Sequence, residues 1–197
     1  MNEALESLNI NECEPMVKIE KITGEEGFDV FKNFMRNLRN NYPQKYYPKN
    51  EVLDEINPKQ KNDSSNNLLT YISYLNNNPA GVLIGDDRKE LLFGYWFAVD
   101  PKYQNTDVAK KLISSIQSDF DKVKIIAFTF GGEKTKNPTN DEEFEKYLKT
   151  KKDKVDRQNA LIRYYTKLGF VPDSSSESYK YSNTPGSPMP MIWKKEN

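Results

Sequence analysis

Three features of this sequence predict an α/β (α+β) domain, a single mixed, mostly antiparallel sheet with helices on both faces. The first is Leu91–Val99, almost wholly apolar or aromatic and ended by Asp100-Pro101. Such a stretch is far short of the about 20 residues of a membrane span and suits a strand buried on both faces. Pro101 lacks the N–H that would extend a ladder. The second is the run that follows, where Val108, Leu112, Ile113 and Ile116 recur at helical spacing before the strand-like Val123–Phe130. Strand, helix and strand in succession make a parallel pair with a right-handed crossover. The third is a hairpin, Leu68–Leu75 and Ala80–Ile84 around the turn Asn76–Pro79, which brings in antiparallel pairing.

The remaining elements follow in order. Residues 1–15 are acidic and polar and read as a flexible tail, so the domain spans 16–197. Met16–Ile22 alternates as a short strand. Thr23 with Glu26 has capping-box spacing, and Phe28, Phe31, Phe34, Met35 and Leu38 mark an amphipathic helix to about Asn40. Asn41–Pro48 is a proline-punctuated loop with Tyr42, Tyr46 and Tyr47. Glu51–Ile56 is one or two helical turns, and Asn57–Asn67 is polar and turn-rich. Gly85–Lys89 reads as a turn before the Leu91 strand. Residues 131–157 form a charged insertion, in which Asn140 and Glu143 cap a helix carrying Phe144, Tyr147, Leu148 and Val155. A separate helix, Gln158–Leu168, presents Leu161, Ile162, Tyr165 and Leu168 and stops at Gly169. Phe170–Pro172 starts a strand, Ser174–Ser187 is a serine-rich loop around Tyr179 and Tyr181, and Met189–Trp193 is the last strand.

Composition narrows the chemistry. The 197 residues carry 29 Lys+Arg and 29 Asp+Glu, so no net charge draws the chain to nucleic acid or an acidic membrane. Its single cysteine, Cys13, forbids an intrachain disulfide and points to a reducing, cytoplasmic setting. Histidine is absent, which removes histidine triads, metal sites and general bases. Acid–base work then falls to carboxylates, Tyr, Lys, Cys13 or water. No metal is expected. No signal peptide or membrane span is apparent.

The loop after Leu91–Val99 is the first place where chemistry concentrates. A buried strand enters a short polar turn, which enters a helix start supplied with the capping side chains Asn105, Thr106 and Asp107. Orphan N–H groups and the helix dipole there favour an anion. Lys110 and Lys111 sit in the first helical turn, where the dipole disfavours cations, which suggests an anionic partner.

Two segments carry a family resemblance. The first is Val99-Asp100-Pro101-Lys102-Tyr103-Gln104-Asn105-Thr106-Asp107-Val108-Ala109, and the second is Asn159…Tyr165-Thr166-Lys167-Leu168-Gly169-Phe170. Together with the element order from about Val17 to Lys195, they resemble the GNAT superfamily of acetyl-CoA-dependent N-acetyltransferases. In that family a Val-x-Pro strand end leads into Arg/Gln-x-x-Gly-x-Gly/Ala, whose N–H groups hold the coenzyme A pyrophosphate. Gln104 and Ala109 match the outer positions, and Asp107 stands where the middle glycine belongs. The carboxylate adds bulk and charge where phosphates would approach the backbone.

The resemblance implies acetyl-CoA as cosubstrate and a small-molecule or peptide amine as acceptor, joined by direct attack on the thioester. It places the coenzyme on Phe97, Ala98 and Val99 of a splayed strand, on Gln104, Asn105, Thr106, Asp107, Val108, Ala109 and Lys110 of the loop, and on Asn159, with Gln158 matching the spacing better. It implies that Tyr165 donates a proton to the leaving thiolate, and that Tyr42, Tyr46 and Tyr47 border the acceptor. The Leu91–Val99 strand has no carboxylate to serve as base, and Glu90 at its edge reads as solvated. The alternative is a catalytically degenerate GNAT-fold module that binds a ligand or a protein.

Overall fold

The computed structural model describes residues 16–43, 47, 53, 67–127, 141–177, 179 and 188–196, without the side chains of 141–148, 150 and 151. The expected tail, Tyr46, the polar stretch before residue 67, the strand end at 128–130, the capping pair Asn140 and Glu143, and Tyr181 lie outside these described residues or side chains.

The elements are β1 (Val17–Thr23), α1 (Gly24–Asn41), β2 (Leu68–Leu75), β3 (Asn78–Arg88), β4 (Leu91–Val99), a 3₁₀ turn (Pro101–Tyr103), α2 (Val108–Asp119), β5 (Lys122–Ala127), α3 (Asp141–Lys167), β6 (Val171–Pro172) and β7 (Met189–Lys194). The strands form one sheet in the order β1-β2-β3-β4-β5-β7-β6. All neighbours are antiparallel except β4 and β5, the parallel pair that the crossover through α2 requires.

Alternation along the strands sends side chains to two cores. On one face Leu68, Ile72, Val82 and Ile84 meet Phe28, Phe31, Phe34, Met35 and Leu38 of α1, together with the buried, helical Leu53. On the other, Leu69, Tyr71, Leu83 and Leu92 meet Leu112, Ile113 and Ile116 of α2 and Tyr165 of α3. No helix among the described residues is long and apolar enough to cross a membrane.

Several local expectations are corrected. Thr23 is the N-cap of α1, but its side chain makes no capping bond. The first hairpin turn is only Asn76-Asn77, both at positive φ (50° and 65°), a conformation asparagine tolerates. Strand β3 continues through Gly85-Asp86-Asp87-Arg88, because Asp86, Asp87 and Arg88 pair with Phe93, Leu92 and Leu91; tertiary pairing overrides the turn-like composition. The two helices expected between residues 140 and 168 are one, Asp141–Lys167, a span with neither proline nor glycine to interrupt it.

Candidate functional site

The site begins where β4 leaves β5. Among the described residues the parallel pairing covers Leu91↔Lys122, Leu92↔Val123 and Phe93↔Lys124, although β4 runs on to Val99 and β5 to Ala127. Opposite, the β3–β4 register slips between Ile84 and Gly85, so that Ile84 faces Trp96 while Gly85 faces Gly94. Tyr95 is the extra residue of a β-bulge, which bends its strand. The slip also reverses the alternation. Leu92 packs on the α2 face before the bulge and Phe97 after it, while Tyr95 and Trp96 both lie on the α1 side. Gly85 permits this geometry, since a Cβ there would stand 2.7 Å from the Phe93 carbonyl oxygen.

Burial follows the same break. Leu92 and Gly94 are buried, whereas residues 95–99 are only half-buried. Leu91 and Phe93, which alternate with them, are half-buried too, so the expectation of a strand buried on both faces fails along β4, and only the α2 face of its first half is closed. Phe97, Ala98 and Val99 lie in that open half.

The turn that follows is hydrogen-bonded to itself. Asp100 Oδ1 accepts from the Lys102 N–H at 2.8 Å and starts the 3₁₀ turn. The N–H groups of Tyr103, Gln104 and Thr106 donate to the carbonyls of Asp100, Pro101 and Tyr103. Gln104 and Thr106 thus spend their backbone donors locally. Lys111 N–H closes the first turn of α2 on the Asp107 carbonyl at 2.8 Å, and Thr106 Oγ1 accepts weakly from Val108 N–H at 3.4 Å. The N–H groups of Asn105, Asp107, Ala109 and Lys110 have no backbone acceptor among the described residues. They are the donors an anion would meet. The helix starts at Val108, and of the three expected capping side chains only Thr106 takes part. Asp107 is the N-cap, is exposed, and makes no side-chain cap. Val108 and Ala109 are buried, and Lys110 is exposed.

The long helix α3 supplies the other wall. Tyr165 is buried, with its ring centroid 6.3 Å from Phe97 and 5.8 Å from Phe170. The fold thus joins the helix tyrosine to the open half of β4. Burial, and then the neighbouring Tyr164, push the Tyr165 phenol well above its usual range. Gly169 ends the helix at φ +86°, a conformation that favours glycine, and Phe170 N–H returns to the Tyr165 carbonyl at 3.1 Å. Asn159 is exposed. Its neighbour Gln158 is buried and donates to the carbonyl of Ala127, the last residue of β5. Gln158 is in phase with Ile162 and Tyr165, which is the signal that separates it from Asn159.

No protein-family model and no curated protein matches the chain by sequence. Solved structures do match it in shape. An acetyltransferase of the GNAT family from Staphylococcus aureus Mu50 superposes with a TM-score of 0.50 at 12% identity, covering 92% of this chain and 100% of its own. A protein from Bacteroides thetaiotaomicron assigned to the same family gives 0.50 at 16% identity, over 91% and 88% of the two chains. An acetyltransferase from Thermus thermophilus gives 0.50 at 9% identity, over 91% and 97%. The fold is that of the GNAT acetyltransferases. At these identities the likeness concerns the fold alone.

Within this GNAT fold, α1 ends against the exit of β4. Tyr42 hydroxyl donates to Asp100 Oδ1 at 2.7 Å, and that bond raises the phenol pKa. Tyr47 is half-buried; burial first, then the Asp100 charge, lift its phenol to about 12. Both tyrosines, like Trp96 and Ala98, pack against the core on the α1 side. Glu90 is exposed, as expected. No described residue of β4 is a carboxylate, and no cluster of three or more Asp, Glu or Cys among the described residues is disposed to hold a metal.

Proposed function

We propose that this protein is an N-acetyltransferase that moves the acetyl group of acetyl-CoA to an amine acceptor by direct attack. The observation that carries the reading is the opening between β4 and β5 after Phe93, which ends at unpaired N–H groups of a helix start. A pantetheine chain is an extended amide-bearing strand mimic, and the β5 side of β4, beyond the parallel pairing that ends at Phe93 among the described residues, offers it an edge. Asn105, Asp107, Ala109 and Lys110 would meet the pyrophosphate. Phe97, Ala98 and Val99 would flank the thioester, Gln158 would hold β5 in place beside the coenzyme arm, and Asn159 would contact its outer end.

In the reaction the amine nitrogen bonds to the acetyl carbon and the carbon–sulfur bond breaks. The nitrogen loses its proton to water, since β4 supplies no carboxylate, and the thiolate gains one from Tyr165, whose phenolate then takes a proton back from water. The raised Tyr165 phenol holds its proton throughout the neutral range. It is a weaker acid than a thiol of pKa about 8.5, so this transfer is uphill and adds a modest factor at most. Proximity in the ternary complex supplies most of the rate. The single cysteine agrees with a cytoplasmic setting.

A second reading, a degenerate GNAT-fold binding module, is favoured by the exposed carboxylate of Asp107 at the helix start and by the lack of a base on β4. Calorimetry with acetyl-CoA, followed by thiol release across small amines, polyamines, aminoglycosides and peptide N-termini, separates the two. Micromolar binding with turnover supports the enzyme; binding without thiol release supports the module; no binding up to millimolar acetyl-CoA rejects the coenzyme site.

A further inference from the structure

We propose that Tyr42 is a positioning residue for the anion loop, its hydroxyl fastening the end of α1 to the residue from which that loop departs. Asp100 is held on several sides. Its N–H donates to the Ala80 carbonyl of β3 at 2.9 Å, and its own carbonyl accepts from Tyr103 N–H at 2.8 Å. One carboxylate oxygen, Oδ1, accepts both the Lys102 N–H at 2.8 Å and the Tyr42 hydroxyl at 2.7 Å. Both bonds are made to a charged acceptor and are short, which places them among the stronger kind.

The shared oxygen gives the contact its consequence. Lys102 N–H is the first donor of the 3₁₀ turn. From there Gln104 N–H closes on Pro101, Thr106 N–H and hydroxyl close on the Tyr103 carbonyl, and Thr106 Oγ1 reaches Val108 N–H. This chain of local bonds, rather than any sheet ladder, sets the direction of the unpaired donors at the start of α2. Two donors on one oxygen fix the Asp100 carboxylate, and removing Tyr42 lets it swing away from Lys102. Tyr42 is in turn fixed from its own side. It lies one residue beyond α1 and its N–H closes on the Leu38 carbonyl at 2.9 Å. Order at the end of α1 and anion binding at the start of α2 are therefore coupled, and the coupling is reciprocal.

The affinity part of the test rests on the coenzyme reading; the exchange part does not. Hydrogen–deuterium exchange on the full chain, with and without coenzyme A, is compared for the wild type and Tyr42→Phe, which keeps the ring and removes only the hydroxyl. The expected result is faster exchange across residues 101–108 as well as 38–43, with coenzyme A binding weakened about tenfold. Coenzyme A should also protect residues 38–43 in the wild type and not in the variant. Exchange at 101–108 that stays at the wild-type rate would overturn the coupling, and faster exchange with unchanged affinity would overturn the role in binding. Should Tyr42→Phe fail to fold, Asp100→Asn keeps an acceptor oxygen and drops the charge; it must loosen the same two segments together, and loosening of 38–43 alone overturns the proposal. A wild type that does not bind coenzyme A refutes the coenzyme reading, and the exchange comparison then decides the coupling by itself.

Discussion

The two halves of β4 are made from similar residues and do opposite things. Leu91–Phe93 is laddered on both sides, and Leu92 is fully buried. Beyond the bulge, the strand pairs among the described residues with β3 alone, and the aromatic side chains from Tyr95 to Phe97 are half-buried. The first half holds the sheet together; the second offers an open edge. The lesson is that hydrophobic content does not distinguish a strand laddered on both sides from one with an open edge, whereas the extent of the neighbour's pairing does.

The largest test of this contrast compares one apolar truncation in each half. Leu92→Ala should cost about 3 kcal/mol of stability, as for a fully buried leucine. It should leave coenzyme affinity unchanged. Phe97→Ala should cost about half as much, because the ring is only half-buried, yet weaken coenzyme binding. Urea denaturation and calorimetry on both variants measure the difference, and equal stability losses with equal affinities would erase the distinction.

Next in size is the loop. Asp107→Gly removes an exposed charge from the anion side of the helix start and should tighten coenzyme A binding by up to about tenfold. Unchanged or weaker binding would show that the carboxylate does not oppose the phosphates.

The third prediction concerns the clamp on the closed half. Lys124, whose strand partner is Phe93, places its ammonium 2.8 Å from Asp173 Oδ2, and Asp173 Oδ1 accepts from the Ser175 hydroxyl at 2.5 Å. Burial pushes the Asp173 pKa up, but the Lys124 and Ser175 contacts outweigh it and the carboxyl sits below its ordinary value. Its contribution to stability is therefore present above the unfolded aspartate pKa of about 3.9 and is lost as the pH falls through the lower folded value. Urea midpoints should fall on acidification below about pH 4, and less steeply in Asp173→Asn. Parallel acid limbs for the two proteins would refute the clamp.

The smallest effect belongs to Thr70, on the α1 face. Its hydroxyl is fully buried and has no hydrogen-bond partner among the described residues. Thr70→Val should raise stability by about 1 kcal/mol in thermal or urea unfolding, and a loss would reveal a partner for that hydroxyl.

Much of the fold was legible in the residues themselves. The apolar run of β4, the helical spacing of Val108 to Ile116, and the stop at Gly169 all appear as the periodicities predict. The bulge was not legible. Tyr95 and Trp96 are both large and apolar, so an alternation that reverses between them leaves no trace in the pattern. The extension of β3 through Asp86 and Asp87 was hidden for a related reason, since only pairing with Leu92 and Phe93 makes those polar residues a strand. At the candidate site, Tyr165 and the loop residues were named through the family resemblance of their two segments, not from spacing alone. The division of labour among the loop amides depends on which carbonyls they reach and could not be named in that way. The burial of Gln158, and the reach of Tyr42 to Asp100 across 58 positions of chain, are likewise products of the tertiary structure.

The short β4–β5 seam also bears on how the chain acquires its shape. Strands β2, β3 and β4 are joined by tight turns, so each closes cheaply on its predecessor. The seam closes only after the whole α2 crossover has been placed, and three residue pairs then repay that loop entropy. Loop-closure entropy therefore favours formation of the β2–β4 meander before docking of the carboxy-terminal strands.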